Sequence, residues 1–294
     1  MRPIILGSLL IAFVSALLSA CSPVRTFNGL SVAASGASVT RDQAFGAHPR
    51  QRLDVYAPKR EGERLKPVLV FLYGGSWNSG TKSDYGFAGA AFASRDFVTV
   101  IPDYRLVPEV RFPGFVEDAA LAVRWARDNA ARFGGDPDRI VLVGHSAGAY
   151  NAAMLALDRR WLERAGVPAT AIKGWAGLAG PYDFLPLDVD STREAFGRFS
   201  DLPSTQPVNF VSRDDPPAIL VTGDADTTVK PKHTLHLAEL LQAKGVTAET
   251  RVYRGVGHIG IALAIAGPFR GRAPVLADVT KFLKAQTDTV SSPA

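Results

Sequence analysis

Mainly apolar runs of four to seven residues recur along this chain, separated by stretches of helical period. Val68-Leu69-Val70-Phe71-Leu72, Phe97 to Ile101, Ile140-Val141-Leu142-Val143, Ile172 to Leu178 and Ala218-Ile219-Leu220-Val221 have the look of strands buried on both faces of a sheet. Arg52 to Tyr56 alternates polar and apolar and ends at Pro58, as an edge strand does, and Thr247 to Tyr253 alternates too. Between these runs, Gly86 to Arg95, Phe115 to Phe133, Ala147 to Leu157, Arg159 to Ala165, Lys232 to Lys244 and Val275 to Gln286 read as helices. The longest closes at Gly134-Gly135, where a glycine is expected past a helix end. Strand and helix alternate through most of the chain, which predicts an α/β fold: a mostly parallel sheet with helices on both faces.

The two ends follow other rules. Residues 1–20 read as an export signal: Arg2 supplies a positive end, and Ile4 to Leu18 is apolar and uncharged. Leu18-Ser19-Ala20-Cys21 closes it and resembles the lipobox of bacterial lipoproteins, in which the cysteine is lipidated and becomes the mature N-terminus. The competing reading is an uncleaved membrane anchor, because the run nearly reaches spanning length. The lipobox reading predicts a lipid-anchored protein of the bacterial cell envelope. Residues 21–49 lack a strong period and are rich in Ala, Ser and Gly, which predicts a tether. The folded domain is then expected over 50–288, with an irregular lid at about 181–216 and a tail at 289–294.

Composition narrows the partners. Of 294 residues, 47% are apolar and 21% charged, a globular balance with enough chain for a large core. The formal charge of +5 is scattered, with no basic run longer than Arg159-Arg160 and no stacking motif beside it, so no nucleic-acid partner is predicted. The single cysteine rules out a disulfide within one chain, so stability must come from the core.

Candidate chemistry gathers where strands end. Gly144-His145-Ser146-Ala147-Gly148 joins a buried strand to a helix, a turn so tight that residues two before and two after the serine must lack side chains. Such a turn raises the hydroxyl of Ser146 above the sheet edge as a nucleophile and aims a helix N-terminus at any charge developing beside it. The bland alternative is a glycine turn whose serine caps the helix. Tyr73-Gly74-Gly75-Ser76-Trp77 follows another buried strand, and the amides of Gly74, Gly75 and Ala147 are the candidate oxyanion hole. Asp226 and His258 lie just past two further predicted strands, on the edge where α/β folds build sites. The order Ser, Asp, His assigns Ser146 as nucleophile, His258 as general base and Asp226 as the carboxylate orienting it, with Asp224 as rival acid. Asp103, Arg105 and Asp118 are read as groups that pair or cap to fix the loops around the turn. His233 and His236 stand at metal-ligand spacing on one helix but lack a third ligand, so no metal is predicted.

Together, Tyr73-Gly74-Gly75-Ser76-Trp77, Asp103-Tyr104-Arg105-Leu106, Gly144-His145-Ser146-Ala147-Gly148, Gly180-Pro181-Tyr182-Asp183 and Gly223-Asp224-Ala225-Asp226 resemble the α/β-hydrolase superfamily. The likeness is to its carboxylesterase and lipase branch, including bifunctional feruloyl and acetyl-xylan esterases and kynurenine formamidases, and covers roughly Arg52 to Gln286. It implies hydrolysis of a small-molecule carboxylic ester through an acyl-enzyme, without a cofactor. An arylformamidase or amidase could use the same groups, and an inactive envelope binding protein could share the fold. Tyr73 departs from the pattern, since relatives carry histidine before the glycine pair. With fewer than forty residues from Gly180 to Pro217, the lid is expected to wall only a short acyl pocket, with Phe184, Phe196 and Phe199.

Overall fold

The apolar runs come together in one sheet. The computed structural model describes residues 23–59 and 64–288, and its strands are β1 (Ser38–Ala44), β2 (Arg52–Ala57), β3 (Lys66–Leu72), β4 (Val98–Pro102), β5 (Gly135–His145), β6 (Ile172–Leu178), β7 (Ala218–Gly223) and β8 (Ala248–Tyr253). The sheet has eight strands in the order β1-β2-β4-β3-β5-β6-β7-β8. β2 runs antiparallel to both β1 and β4, and every other neighbouring pair is parallel. Val68 to Leu72 are all fully buried, as are Ile140 to Val143, which is why these strands read as continuous apolar runs. Each such side chain contributes about 1.5–3 kcal/mol relative to exposure, an upper bound because unfolded chains already bury some surface.

Helices cover both faces, as expected for this class. They are α1 (Pro23–Ser35), α2 (Gly86–Ala93), α3 (Gly114–Asn129), α4 (Ala147–Leu157), α5 (Arg160–Arg164), α6 (Asp190–Phe196), α7 (Lys232–Ala243), α8 (His258–Leu263) and α9 (Val275–Asp288). α4 is buried on every side, so its run of alanine and small residues lets it lie close against the sheet. Among the described residues no helix is long and apolar enough to cross a membrane. Cys21 and the leader before it lie outside the described residues.

Two expectations change here. The segment over 21–49, expected as a tether, contains α1 and the edge strand β1, so the folded unit starts well before residue 50. Local sequence is weakly patterned there, and tertiary contacts supply the order. Phe27 packs on Phe87 and Phe269, with ring centroids 5.9 and 6.2 Å away. The buried Asn28 side chain donates to the Ser83 carbonyl at 2.6 Å and accepts the Phe87 N–H at 2.8 Å. The lid over 181–216 forms no strand, as expected, but holds α6 and two short 3₁₀ turns. Phe196 is fully buried, packed on Trp77, Phe112, Phe115 and Tyr150, and Phe199 lies edge-on to Phe112. These two rings belong to the core under the lid, not to a pocket wall.

Asp118 organises the loops behind the sheet edge. Its buried carboxylate accepts the Arg105 backbone N–H at 2.8 Å, the Arg105 guanidinium at 2.8 and 2.7 Å, and the Gln51 amide at 2.7 Å. Arg105 is a quarter exposed, so removing Asp118 returns that charge partly to water. Asp118→Ala should therefore lower unfolding free energy by roughly 2–3 kcal/mol, below the usual range for breaking a wholly buried pair. Urea unfolding of the purified protein checks this.

Candidate active site

The turn after β5 is built as its glycines require. Ser146 sits at φ 55° and ψ −122°, a conformation rarely adopted by a residue with a side chain and costing about 1–3 kcal/mol. A Cβ on Gly148 would stand 2.0 Å from the Leu72 carbonyl oxygen, and one on Gly144 would stand 2.2 Å from the Gly148 oxygen. The Ser146 N–H donates to the Leu178 carbonyl at 2.9 Å, tying the turn to the end of β6. α4 begins at Ala147, so its first amides have no partner within the helix and point toward the space beside Ser146.

Three loops deliver three side chains to that space. His258 opens α8 after the loop following β8, and its Nε2 lies 2.9 Å from Ser146 Oγ. Its Nδ1 lies 2.8 Å from Asp226 Oδ2. Asp226 is fully buried, and its other oxygen accepts the N–H groups of Thr228 at 2.9 Å and Val229 at 2.8 Å. These bonds hold an anionic carboxylate, so Nδ1–H of His258 donates to it and Nε2 is left to accept the Ser146 hydroxyl proton. Asp224, the rival acid, accepts the Gly255 N–H at 2.6 Å and pins the loop that carries His258.

The glycine loop after β3 lies over the same turn. A Cβ on Gly74 would be 2.9 Å from Ser146 Cβ, and one on Gly75, at φ 134°, would be 2.2 Å from the Ser79 oxygen. Gly75, Ser76 and Trp77 have positive φ in succession. The backbone holds this strained path through the Gly75 carbonyl, which accepts the N–H groups of Asn78 and Ser79 at 3.0 Å. Tyr73, in place of the family histidine, anchors the loop from below. Its hydroxyl donates to Asp103 and accepts from Arg50, both at 2.9 Å, while Arg50 also reaches the Gly80 and Tyr104 carbonyls.

Beside Ser146 opens a cleft of about 440 Å³. Trp77, Phe184, Leu185, Pro186 and Val189 line its apolar part. Asp183, Lys230, Lys232 and His233 give it a polar end, which the sequence reading did not assign. Asp183 stood in a motif and His233 at metal-ligand spacing, but only position, in segments that follow the C-terminal ends of β6 and β7, ties the four to this cleft. His236 pairs with Asp183 at 3.1 Å, and among the described residues no group of His, Cys, Asp or Glu is arranged to hold a metal.

Fold and site together are those of an α/β-hydrolase, with the loops at the C-terminal edge of a mostly parallel sheet carrying the chemistry. The BD-FAE family model matches residues 53–241, well over half of the chain, and the chain belongs to that family. It is 32% identical over 261 residues to a probable isoprenylcysteine alpha-carbonyl methylesterase, ICMEL2, of Arabidopsis thaliana, covering 82% of this chain and 61% of that protein. It is 28% identical over 221 residues to Esterase LipC of Mycobacterium tuberculosis, covering 68% of this chain and 54% of that protein. The chain thus spans only about six tenths of the plant relative's length. Among solved structures, a hyperthermophilic esterase from the archaeon Pyrobaculum calidifontis superposes with a TM-score of 0.71 at 25% identity, covering 92% of each chain. A truncated carbohydrate esterase from gut microbiota gives 0.74 at 21% identity, covering 85% of this chain and 96% of that one.

Proposed function

We propose that the chain is a serine carboxylic-ester hydrolase that works through an acyl-enzyme and favours short acyl groups. The observation that carries this reading is the unbroken hydrogen-bonded line from Asp226 through His258 to Ser146, set on a strained turn beside a cleft. Relatives described as methylesterases and esterases support ester chemistry. Ser146 Oγ attacks the ester carbonyl carbon while His258 Nε2 takes its proton, and Asp226 stabilises the imidazolium that forms. The oxygen of the tetrahedral intermediate accepts from the Ala147 amide and from those of Gly74 and Gly75, a donor of this kind being worth about 3 kcal/mol of barrier. The imidazolium then returns its proton to the departing alcohol. A water molecule, activated by the same imidazole, splits the acyl-enzyme to release the acid and restore Ser146.

Ser146→Ala should remove the hydroxyl that attacks, cutting kcat for p-nitrophenyl acetate by several orders of magnitude while the protein still folds. The same variant should lose labelling by a fluorophosphonate probe. Asp226→Asn should lower kcat far more than Asp224→Asn, since only Asp226 touches the imidazole. Wild-type turnover in Ser146→Ala, or the reverse ranking of the two aspartates, counts against the mechanism.

The cleft supports the acyl preference. Trp77 and Phe184 wall it on one side, with Tyr150 and Phe196 packed behind them, so its apolar part has little room to lengthen. Each methylene that fits gains about 0.8 kcal/mol, and one that does not fit gains nothing. Across a p-nitrophenyl ester series, kcat/KM should peak between acetyl and butyryl. A profile still rising at decanoyl would mean a deeper pocket.

The anchor reading rests on Cys21, the one cysteine of the chain, closing an apolar leader. We infer that it carries the lipid that holds the domain to a bacterial envelope membrane, with α1 starting two residues later. Mass spectrometry of the mature protein should find an acylated Cys21, and Cys21→Ala should leave an unprocessed or mislocalised precursor. A mature wild-type chain without lipid refutes the anchor.

A further inference from the structure

His145, beside the nucleophile in sequence, is buried and takes no part in the proton transfers above. It faces inward from the turn, with Tyr85 Oη 3.0 Å from Nδ1 and the His258 backbone carbonyl oxygen 3.2 Å from Nε2. A carbonyl oxygen only accepts, so Nε2 bears the hydrogen. Nδ1 of the neutral ring is then a lone pair that must accept from the Tyr85 hydroxyl. Burial, with the nearby His258 adding to it, pushes the His145 pKa down to about 3, so this single tautomer holds through the neutral range. The Tyr85 hydroxyl spends its hydrogen on His145, and its ring stacks on Tyr73 at the root of the glycine loop, with centroids 5.8 Å apart. Gly74 itself rests on the imidazole, since a Cβ there would stand 3.0 Å from Nδ1. Tyr85 and His258 are the titratable groups that face this ring.

A directed pair of hydrogen bonds thus runs from Tyr85, packed against the glycine loop, through His145 to the backbone of the residue that acts as base. These parts come from different elements: Tyr85 from the turn before α2, His145 from the end of β5, and His258 from the start of α8. α8 is only six residues long and follows a Gly255-Val256-Gly257 loop, so its own hydrogen bonds give its first residue little rigidity. We propose that His145 and Tyr85 are positioning residues that act as a unit, holding the His258 backbone and the glycine loop in register with Ser146. This proposal rests on the ester-hydrolase reading for its kinetic consequence but not for its structural one.

Misplacement of a catalytic group by about an ångström can cost up to about a hundredfold in rate. His145→Leu, which fills the space without either bond, should lower kcat for p-nitrophenyl acetate about tenfold or more and leave KM within about twofold. His145→Gln keeps an amide donor at about the position of Nε2 and should restore most of the loss. Tyr85→Phe removes a single oxygen, tests the same line if His145→Leu folds poorly, and should lower kcat in the same sense. Because the two residues act as a unit, the double variant His145→Leu/Tyr85→Phe should be no slower than the slower single one. Additive losses, or a His145→Leu enzyme with wild-type kcat, overturn the proposal.

Nitrogen NMR of the histidine rings reads the structural claim without any ester. The full chain should show His145 as the Nε2–H tautomer, unprotonated well below the ordinary histidine range, and Tyr85→Phe should move the His258 Nδ1–H resonance. A His145 that protonates in the ordinary range, or a His258 signal indifferent to Tyr85→Phe, overturns the positioning role. If Ser146→Ala leaves ester turnover intact while the NMR results are as expected, the hydrolase reading falls and the positioning line stands.

Discussion

The backbone at Ser146 is the constraint on which the site depends. A residue with a side chain is held there at φ 55° between a buried strand and a buried helix, and nothing in its own preferences favours that. The surroundings impose it. The Leu178 carbonyl takes the Ser146 amide, and the Ala149 and Tyr150 amides take the Ser146 carbonyl, so the residue is fixed on both sides of its Cα. Glycine at 144 and 148 follows from that geometry, because the Leu72 and Gly148 oxygens occupy the volumes where side chains would go. The hydroxyl consequently borders the cleft instead of folding back to cap the helix.

Around this turn the molecule spends its buried charges on loops rather than on the core. Asp226 holds His258, the exposed Asp224 holds the loop leading to it, Asp118 holds the segment after β4, and Asp103 ties that segment to Tyr73 and Lys82. Lys82, nearly buried, bridges Asp42 at 2.7 Å and Asp54 at 2.9 Å and so ties the N-terminal hairpin to the loop beyond Gly80. Asp226, Asp118, Asp103 and Asp54 each have more than one donor, the condition under which a buried charge is tolerated. The sheet provides a stiff edge, and these pairs transmit that stiffness to segments with little secondary structure of their own.

The central strands and the long helices were legible because their periods report burial directly. Val68 to Leu72 and Ile140 to Val143 are apolar at every position for the reason that both faces are covered. The serine turn was legible too, since its two glycines answer a steric demand that acts within five residues. α1 and β1 were not. Their composition is that of a linker; α1 is ordered by Phe27 and Asn28 meeting residues some fifty-five or more positions away, and β1 by pairing with β2. α8 was missed because it is a single short helix following a glycine-rich loop, with no period to read.

By itself the sequence determined the class of fold, the turn that carries Ser146, and the order in which serine, aspartate and histidine appear. Those features depend on neighbours along the chain, so local sterics and burial period suffice to write them. Only the tertiary structure decided between Asp224 and Asp226, which differ by two residues and hold different partners: a loop amide for one, the imidazole for the other. It likewise moved Phe196 and Phe199 from pocket wall to core and gave His145 its two partners. Hydrogen bonds of that kind join residues far apart in the chain, as Tyr85 is 60 and His258 113 positions from His145, and the direction of a side chain at such a junction is set by the elements that converge on it.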